Sequence, residues 1–202
     1  SFFILGGLWN SLGILQTVMQ YTMPIVLVTS SLGCLYLTYP MDRNTVLTWG
    51  AIFILTWSIE ALGVATGFPF GTYMYTDRLG WSVLAVPVVI PFIWVLILTS
   101  SDAAVGHFLG RISSVLVALA VIVLNFFMQF AADSLDLWHW RTRFPPASNY
   151  AAWFVISLAA MLLLRDTTVK NTELRLPAHI YFGLVLYFCI TFFGMKSGLI
   201  TL

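Results

Sequence analysis

Residues 1–41 of the chain read SFFILGGLWN SLGILQTVMQ YTMPIVLVTS SLGCLYLTYP M, and none of these side chains is charged. In hydrocarbon every backbone N–H and C=O must be paired within the protein, so a long apolar run of this kind indicates α-helix. About 20 residues cross a bilayer core of about 30 Å, so the run is too long for one span. The polar residues Gln16 and Gln20, followed by Pro24, predict a break between two helices at about 2–19 and 23–39.

The rest of the chain repeats this pattern of long apolar segments between short polar ones. We predict further helices over about 45–65, over 82–101 with Pro87 and Pro91 inside it, from just after Arg111 to about 132, over 149–164 and over 178–198. Asn44, in the turn between the second and third helices, is a candidate N-cap. The segments 67–80, 133–147 and 165–175 are predicted loops.

The composition indicates a membrane protein. The sequence is 60% hydrophobic and 8% charged, whereas soluble domains contain about 25% charged residues. Too few charges remain to cover a surface that faces water, so the surrounding solvent must be lipid. We therefore predict an all-α fold, a polytopic transmembrane bundle of about seven (six to seven) helices, which forms a single domain over residues 1–202 in the cell membrane.

Charge and cysteine content argue against several other classes of function. The net charge of +1 gives no sign of nucleic acid binding. Cys34 and Cys189 both lie in apolar runs, which favours small buried thiols over a disulfide. His107, His139 and His179 do not have the spacing of a haem or metal site, so we predict no metal.

Glu60 is the sharpest functional signal in the sequence. It lies inside the predicted helix 45–65. A carboxyl group in a membrane helix costs about 3 kcal/mol on insertion scales, so it usually faces the bundle interior and has a functional role. The alternative is a structural ion pair, for instance with Arg78. Of the two interpretations we favour the functional one.

The segment after Glu60 combines glycines with aromatic residues. Gly67 and Gly71 allow close approach of the backbone, and Pro69 fixes a turn between them. Aromatic side chains surround this turn at Phe68, Phe70, Tyr73 and Tyr75. The residues alone fit two interpretations equally: an aromatic belt at the membrane interface, or the mouth of a pocket for a long apolar ligand.

A second group of polar and aromatic residues follows the helix that ends at about 132. It comprises Asp133, Asp136, Trp138, His139, Trp140, Asn149 and Trp153. Such a group suits a functional site between water and lipid, and it also suits an ordinary interfacial belt with solvated charges. For Asp133, which closes the apolar run, we favour the functional role. Asn125 and Gln129 share one helix face, where they would line a pocket or bond to a neighbouring helix.

Residues 59–80 resemble a known family. The run reads IEALGVATGFPFGTYMYTDRLG, with Glu60-x-x-Gly63-x-x-Thr66-Gly67 followed by Phe70-Gly71-x-Tyr73-x-Tyr75 and Leu79-Gly80. It is similar to the integral-membrane carotenoid biosynthesis proteins that include the carotenoid 1,2-hydratases and bisanhydrobacterioruberin hydratase. Further segments correspond at Val86-Pro87, Trp94, Trp138-His139-Trp140, Asn149-Tyr150 and Trp153-Phe154, so the resemblance covers about residues 45–165.

The resemblance implies hydration of the terminal double bond of an acyclic carotenoid of the lycopene, gamma-carotene or bisanhydrobacterioruberin type, in membrane lipid and without a cofactor. An acid must protonate the alkene, and we expect Glu60 or Asp133 in that role. Tyr73, Tyr75 and Trp138 would then shield the cation through their ring faces. The full set of expected substrate-binding residues is Gly67, Phe70, Gly71, Tyr73, Tyr75, Trp94, Asn125, Gln129, Trp138, Trp140, Asn149 and Trp153.

Three positions depart from the pattern of the family. Asn10, Asn125 and Gln129 are neutral amides where the resemblance implies ionisable groups. The departures reduce the capacity for proton transfer and motivate an alternative, a non-catalytic subunit that binds a carotenoid or another polyisoprenoid within a larger membrane complex, such as a photosynthetic one. The length of the matched motif favours the hydratase.

Overall fold

The computed structural model describes residues 16–106, 113–142, 144–164 and 174–196. Within these ranges the fold is a bundle of six α-helices: α1 Gln16–Thr38, α2 Arg43–Thr66, α3 Ile90–Ser101, α4 Ser113–Ala132, α5 Ala147–Leu163 and α6 Arg175–Lys196. Four short strands join them: β1 Tyr73–Tyr75, β2 Ser82–Val83, β3 Val86–Pro87 and β4 Trp138–Trp140. The predicted all-α helical bundle is confirmed.

Several of these helices have the length and composition of membrane spans. In the part of the chain that the structure describes, α2, α4 and the segment Arg175–Gly194 of α6 are long and apolar enough to cross a membrane. Three shorter apolar helices accompany them, at Thr22–Thr38, Ile90–Val105 and Ala147–Leu163. Together these helices indicate a membrane protein.

Helices α3 and α4 form the centre of the bundle. Helix α3 contacts α1, α2, α4 and α6, and all its side chains from Trp94 to Ser101 are buried. Helix α2 lies at the side, and its buried residues are spaced three or four apart: Thr45, Trp49, Ile52, Thr56, Glu60 and Gly63. This spacing is one face of a helix. Glu60 therefore points into the bundle.

The predicted break near Pro24 is wrong. Helix α1 continues from Gln16 to Thr38 with Pro24 inside it. A membrane helix tolerates proline where neighbouring groups satisfy the freed carbonyl, so the polar residues around Pro24 do not end the helix. The rest of the predicted helix over 2–19, together with Asn10, lies outside the described residues.

The predicted start of the helix at residue 82 is also wrong. Leu84 and Ala85 have φ angles of +54° and +60°, and they form the two-residue turn of a hairpin in which Val83 pairs with Val86. Helix α3 begins only at Ile90. Pro87 therefore lies in β3, and Pro91 lies in the first helical turn, where the helix needs no N–H from it.

The ends of α2 show one further difference from the sequence prediction. Asp42 is the N-cap, because its side chain accepts a hydrogen bond from the Thr45 N–H at 2.9 Å. Asn44 is already inside the helix, so its predicted role as N-cap is wrong. The Asp42 carboxylate also complements the positive end of the helix dipole. Cys34 and Cys189 are both free thiols; Cys34 is buried as predicted, whereas Cys189 is only half-buried.

Strands β1 and β4 pair into an antiparallel ribbon that the sequence did not predict, since both lie in predicted loops. In the register of this aromatic ribbon Tyr73 is opposite Trp140, Met74 opposite His139 and Tyr75 opposite Trp138. Side chains alternate between the two faces of a strand. One face of the ribbon therefore carries four aromatic side chains, and the other carries Met74 and His139.

Candidate active site

The Glu60 carboxyl group accepts three hydrogen bonds inside the bundle. The Tyr73 and Tyr75 hydroxyls donate to its Oε2 at 2.6 and 2.9 Å, and the Trp94 Nε1–H donates to its Oε1 at 2.9 Å. Glu60 is only 3% exposed. The alternative ion pair with Arg78 is wrong, because the Arg78 Nε lies 3.2 Å from Asp136 Oδ2 instead.

The three donors differ in what they allow the carboxyl group to do. An indole N–H can only donate, so Oε1 of Glu60 must accept from Trp94. A phenol can donate or accept. Burial raises the pKa of the Tyr73 phenol and the neighbouring Glu60 raises it further, so this hydroxyl keeps its proton at neutral pH. Oε2 is thus the oxygen that can carry a proton, because Tyr73 or Tyr75 can turn to accept from it.

Gly63 allows the residues after α2 to fold back onto Glu60. A Cβ atom at Gly63 would lie 2.6 Å from Phe70 Cδ2 and 3.2 Å from the Tyr73 hydroxyl oxygen. Phe70 is 1% exposed, so its ring has little room to move away. Gly63 lies three residues after Glu60 on the buried face of α2. Its lack of a side chain therefore permits the contact between Tyr73 and Glu60.

A cavity of about 30 Å³ lies beside Glu60. Ten of the residues that line it were predicted from the sequence: Glu60, Phe70, Tyr73, Tyr75, Trp94, Gln129, Trp138, Trp140, Asn149 and Trp153. Three were not: Ile90, Ile93 and Met128. A volume of about 10–15 Å³ is enough for one water molecule, so the cavity has room for one or two.

Two tryptophans connect the helices on the two sides of this cavity. The Trp94 and Trp153 rings stack with their centroids 3.9 Å apart and their planes inclined by 20°. Trp153 lies one turn after Asn149 on α5, so both side chains reach the cavity from the same helix face. The stack fixes the indole of Trp94 whose N–H holds Glu60.

A chain of amide and indole groups forms another part of the wall. The Trp138 and Trp140 Nε1–H groups both donate to Gln129 Oε1, at 3.0 and 3.2 Å. The Gln129 amide donates to Asn125 Oδ1 at 2.8 Å, and the Asn125 amide donates to Asn149 Oδ1 at 3.1 Å. Asn125 is fully buried behind the cavity wall. This amide network holds β4 against α4 and α5.

Two predicted glycines shape the wall without lining it. Gly67 has a φ of +78° and ends α2, and its N–H donates to the Gly63 carbonyl at 2.7 Å. Gly71 has a φ of +102°, and a Cβ there would lie 2.5 Å from Pro146 Cγ and 3.3 Å from Trp140 Cζ3. Both positions need glycine, one to end the helix and the other to let Pro146, and after it Trp140, pack closely.

Asp133, the second predicted acid, lies on the outer face of the ribbon, away from the cavity. It is exposed, and its Oδ1 lies 2.5 Å from His139 Nδ1. His139 Nε2 lies 3.0 Å from Asp136 Oδ1. The hydrogen bond to Asp133, and after it Asp136, raises the pKa of His139. The outer face of the ribbon is therefore charged, whereas its inner face is aromatic.

Among the described residues, which do not include His107, the acids and histidines form no cluster that suits a metal ion. Both ring nitrogens of His139 face carboxylates, and His179 Nδ1 lies 2.5 Å from the Arg175 carbonyl oxygen. Across the described ranges, no three His, Cys, Asp or Glu side chains form a group that could hold a metal ion.

Three apolar residues of the cavity, Ile90, Ile93 and Met128, were not predicted from the sequence. Ile90 precedes Trp94 by one helical turn, so helical spacing was a usable signal for it. Met128 follows the predicted Asn125 by three residues, so the same signal applied to it. Ile93 carries no such signal, because it is one apolar residue among many in its span.

The fold and the site define a helical membrane protein with a buried acid that aromatic residues enclose. A family described as "Carotenoid biosynthesis protein" matches residues 20–201 of the chain, which therefore belongs to this family. The family that the run at 59–80 indicated is thus confirmed, and with it a role in carotenoid biosynthesis. A carotenoid substrate and membrane lipids fit the family and the apolar helices. No curated protein and no solved structure matches the chain.

Proposed function

We propose that this protein adds water to the terminal double bond of an acyclic carotenoid by acid catalysis. One observation carries the proposal: a buried carboxyl group, held by three neutral donors, borders a small cavity with aromatic walls. None of the described residues that line the cavity is basic. No fixed cation therefore favours the ionised form of Glu60, and the protonated carboxyl group can give its proton to a substrate.

The reaction needs one proton and one water molecule. Glu60 Oε2–H gives its proton to the less substituted carbon of the terminal alkene, and the π electrons form the new C–H bond. A tertiary cation remains on the other carbon. Water adds its oxygen to that carbon and returns one proton to Glu60, so the net change is the addition of H₂O.

The residues around Glu60 stabilise both charges of the intermediate. When Oε2 has lost its proton, Tyr73, Tyr75 and Trp94 all donate to the carboxylate. Hydrogen bonds to a charged acceptor are about twice as strong as neutral ones, so these bonds strengthen as the charge develops. The cation lies near this carboxylate and near aromatic faces such as that of Trp138, which attract positive charge.

The geometry favours Glu60 over Asp133 for the proton transfer. Asp133 is exposed and faces His139 on the outside of the ribbon, so the Trp138 and Trp140 side of the ribbon lies between it and the cavity. A general acid must come within hydrogen-bond reach of its substrate. We assign Glu60 as the acid.

We also propose that the chain crosses the cell membrane several times and that residues 1–202 form one transmembrane domain. Three helices of spanning length and three shorter apolar helices support this arrangement. The aromatic ribbon then lies at one membrane surface, with His139 and Arg78 towards water.

The test uses Glu60→Gln in a host that makes lycopene. Glutamine keeps the shape of the side chain and still accepts from Trp94, but it cannot donate an acidic proton. Wild type should yield a pigment one water heavier, detected by chromatography and mass spectrometry, and Glu60→Gln should yield none. Asp133→Asn is the matched control and should keep the product.

Unchanged product from Glu60→Gln, or loss of product in Asp133→Asn alone, would contradict the assignment. If folded wild-type protein leaves lycopene unaltered, a longer acyclic carotenoid is tested in the same way. Unaltered pigment in both hosts would reject the hydratase.

The amide network favours a second candidate, a carotenoid-binding subunit of a larger membrane complex. Asn125 and Gln129 are neutral, buried and bonded to each other, so they add no ionisable group to the wall of the cavity. This candidate predicts that the protein co-purifies with unaltered pigment and with other membrane chains. Isolation in mild detergent, followed by mass spectrometry of proteins and pigments, distinguishes the two functions.

A further inference from the structure

A second cavity of about 30 Å³ adjoins the cavity beside Glu60. The two share three wall residues, Ile93, Met128 and Trp138. Every residue that the structure places on the wall of the second cavity is apolar or aromatic, and none presents a polar surface to it. The cavity at Glu60, which has some polar groups in its wall, thus borders a second cavity that has none.

The second cavity leads away from the aromatic ribbon into the bundle. On α3 its wall extends from Ile93 to Ile97, and on α4 it extends from Met128 back to Leu124. The ribbon lies beside the beginning of α3 and the end of α4. The wall therefore extends away from the ribbon along both helices. Each step is about one helical turn, about 5.4 Å. Leu184 and Phe188 of α6 and Met23 and Leu27 of α1 form other parts of the wall.

An apolar cavity of this kind suits hydrocarbon and excludes water. Cavities lined by aliphatic and aromatic side chains stay dry, because water finds no partners there. A hydroxyl group in the cavity would be left without a hydrogen bond, which disfavours substrates that carry oxygen near the reacting end. Met128 lies between the two cavities, and its flexible thioether side chain can move aside for a ligand that occupies both.

We propose that the second cavity is the subsite for the hydrocarbon chain of the substrate, an acyclic polyisoprenoid whose terminal alkene lies beside Glu60. The inference rests on the proposed function for the position of the reacting end. It adds the path of the chain, which runs from Glu60 past Met128 and between α1, α3, α4 and α6. The apolar residues along this path suit an extended, acyclic hydrocarbon chain.

Filling the cavity tests the path by binding alone. Leu124→Trp inserts a large side chain into the cavity, whereas Val123→Trp places the same side chain on the outside of α4, where Val123 is 48% exposed. A second matched pair on α6 is Leu184→Trp against Leu186→Trp, since Leu186 is 46% exposed. The readout is total acyclic carotenoid, lycopene together with any hydrated product, per folded protein after purification from a lycopene-producing host, measured by visible absorbance.

We expect both cavity-filling variants to carry about tenfold less carotenoid than their controls, because a side chain that already fills the cavity makes binding of the ligand less favourable. Circular dichroism identifies variants that have not folded, and the pair on the other helix then decides the test. Equal pigment in Leu124→Trp and Val123→Trp, and in the α6 pair, overturns the path. A wild type that folds but binds neither lycopene nor its hydrated product also overturns it.

Failure of the proposed function gives a different result. Glu60→Gln should still bind lycopene, because Glu60 lies outside the second cavity. If wild type binds lycopene and leaves it unaltered, while Leu124→Trp and Leu184→Trp lose it, the path is supported and the hydratase is not.

Discussion

Replacing Gly63 by alanine tests whether close packing on α2 positions the acid site. The new Cβ would lie 2.6 Å from Phe70 Cδ2, whereas ordinary contacts begin at 3.4 Å. The Phe70 ring must therefore move by about 0.8 Å, the difference between these two distances. The Tyr73 hydroxyl is the next neighbour at 3.2 Å and must also shift. The Phe70 ring packs against Tyr73, so both shifts disturb the tyrosine that donates to Glu60.

The cost in stability follows from overpacking a closed site. Extra methylene groups in packed interiors cost about 1–3 kcal/mol, and Phe70 is almost completely buried. Alanine is also a better helix former than glycine by about 1 kcal/mol, which offsets part of this cost. Gly50→Ala separates the two effects, because a Cβ at Gly50 meets nothing within 4 Å. The difference between the two variants, about 1–3 kcal/mol, is the packing cost alone.

The consequence for activity should be larger than the consequence for folding. A misplacement of about 1 Å in a catalytic group can reduce a rate about 100-fold. We expect Gly63→Ala to lower the yield of hydrated carotenoid by about 10- to 100-fold, and Gly50→Ala to leave it unchanged. The assays are denaturant unfolding in detergent micelles and pigment analysis in isolated membranes.

The reasoning is refuted if Gly63→Ala and Gly50→Ala have the same stability and the same yield. Loss of stability with full yield would show that Phe70 packs tightly but does not position the acid. Loss of yield without loss of stability would place the effect on Tyr73 alone.

Two further predictions concern the two ends of the bundle. Hydrogen bonds to Asp133 and then Asp136 raise the pKa of His139. This cluster should therefore stabilise the protein below about pH 6.5 and lose its effect as the pH rises through the raised pKa. The melting temperatures of wild type and His139→Gln should converge with rising pH, and a difference that widens would contradict the role of the cluster. The Tyr39 hydroxyl donates a hydrogen bond to the buried Asp102 at 2.6 Å. Tyr39→Phe should therefore lower the free energy of unfolding by about 1–3 kcal/mol, measured in denaturant, without changing the pigment product. An unchanged free energy of unfolding would contradict this prediction.

The sequence predicted the helices well because each one depends on local features. Apolar segments between charges located α2, α4, α5 and α6 to within a few residues. The start of α3 depended on a turn at Leu84 and Ala85, which has two positive φ angles and no glycine to indicate it. The break predicted in α1 failed because Pro24 is tolerated within a membrane helix.

The candidate site was predictable in its residues but not in its arrangement. Tyr-Met-Tyr at 73–75 and Trp-His-Trp at 138–140 each alternate with the period of a strand, yet their pairing joins segments more than sixty residues apart. The pairing puts Arg78 beside Asp136 on the outer side and leaves Glu60 to the tyrosines. The choice between an ion pair and a catalytic acid therefore depended on a contact that no local pattern shows.

The two faces of the ribbon explain why an acid at this depth suits a reaction between water and hydrocarbon. Glu60 lies six residues before the end of α2 at Thr66, about 9 Å along the helix. The ribbon covers this position with aromatic rings inside and with Arg78, Asp136 and His139 outside. In the proposed hydration, water approaches the acid from the ribbon side, whereas the apolar chain approaches it from within the bundle. In the proposed hydration the two reactants meet at Glu60 from opposite sides, so neither has to cross the other's environment.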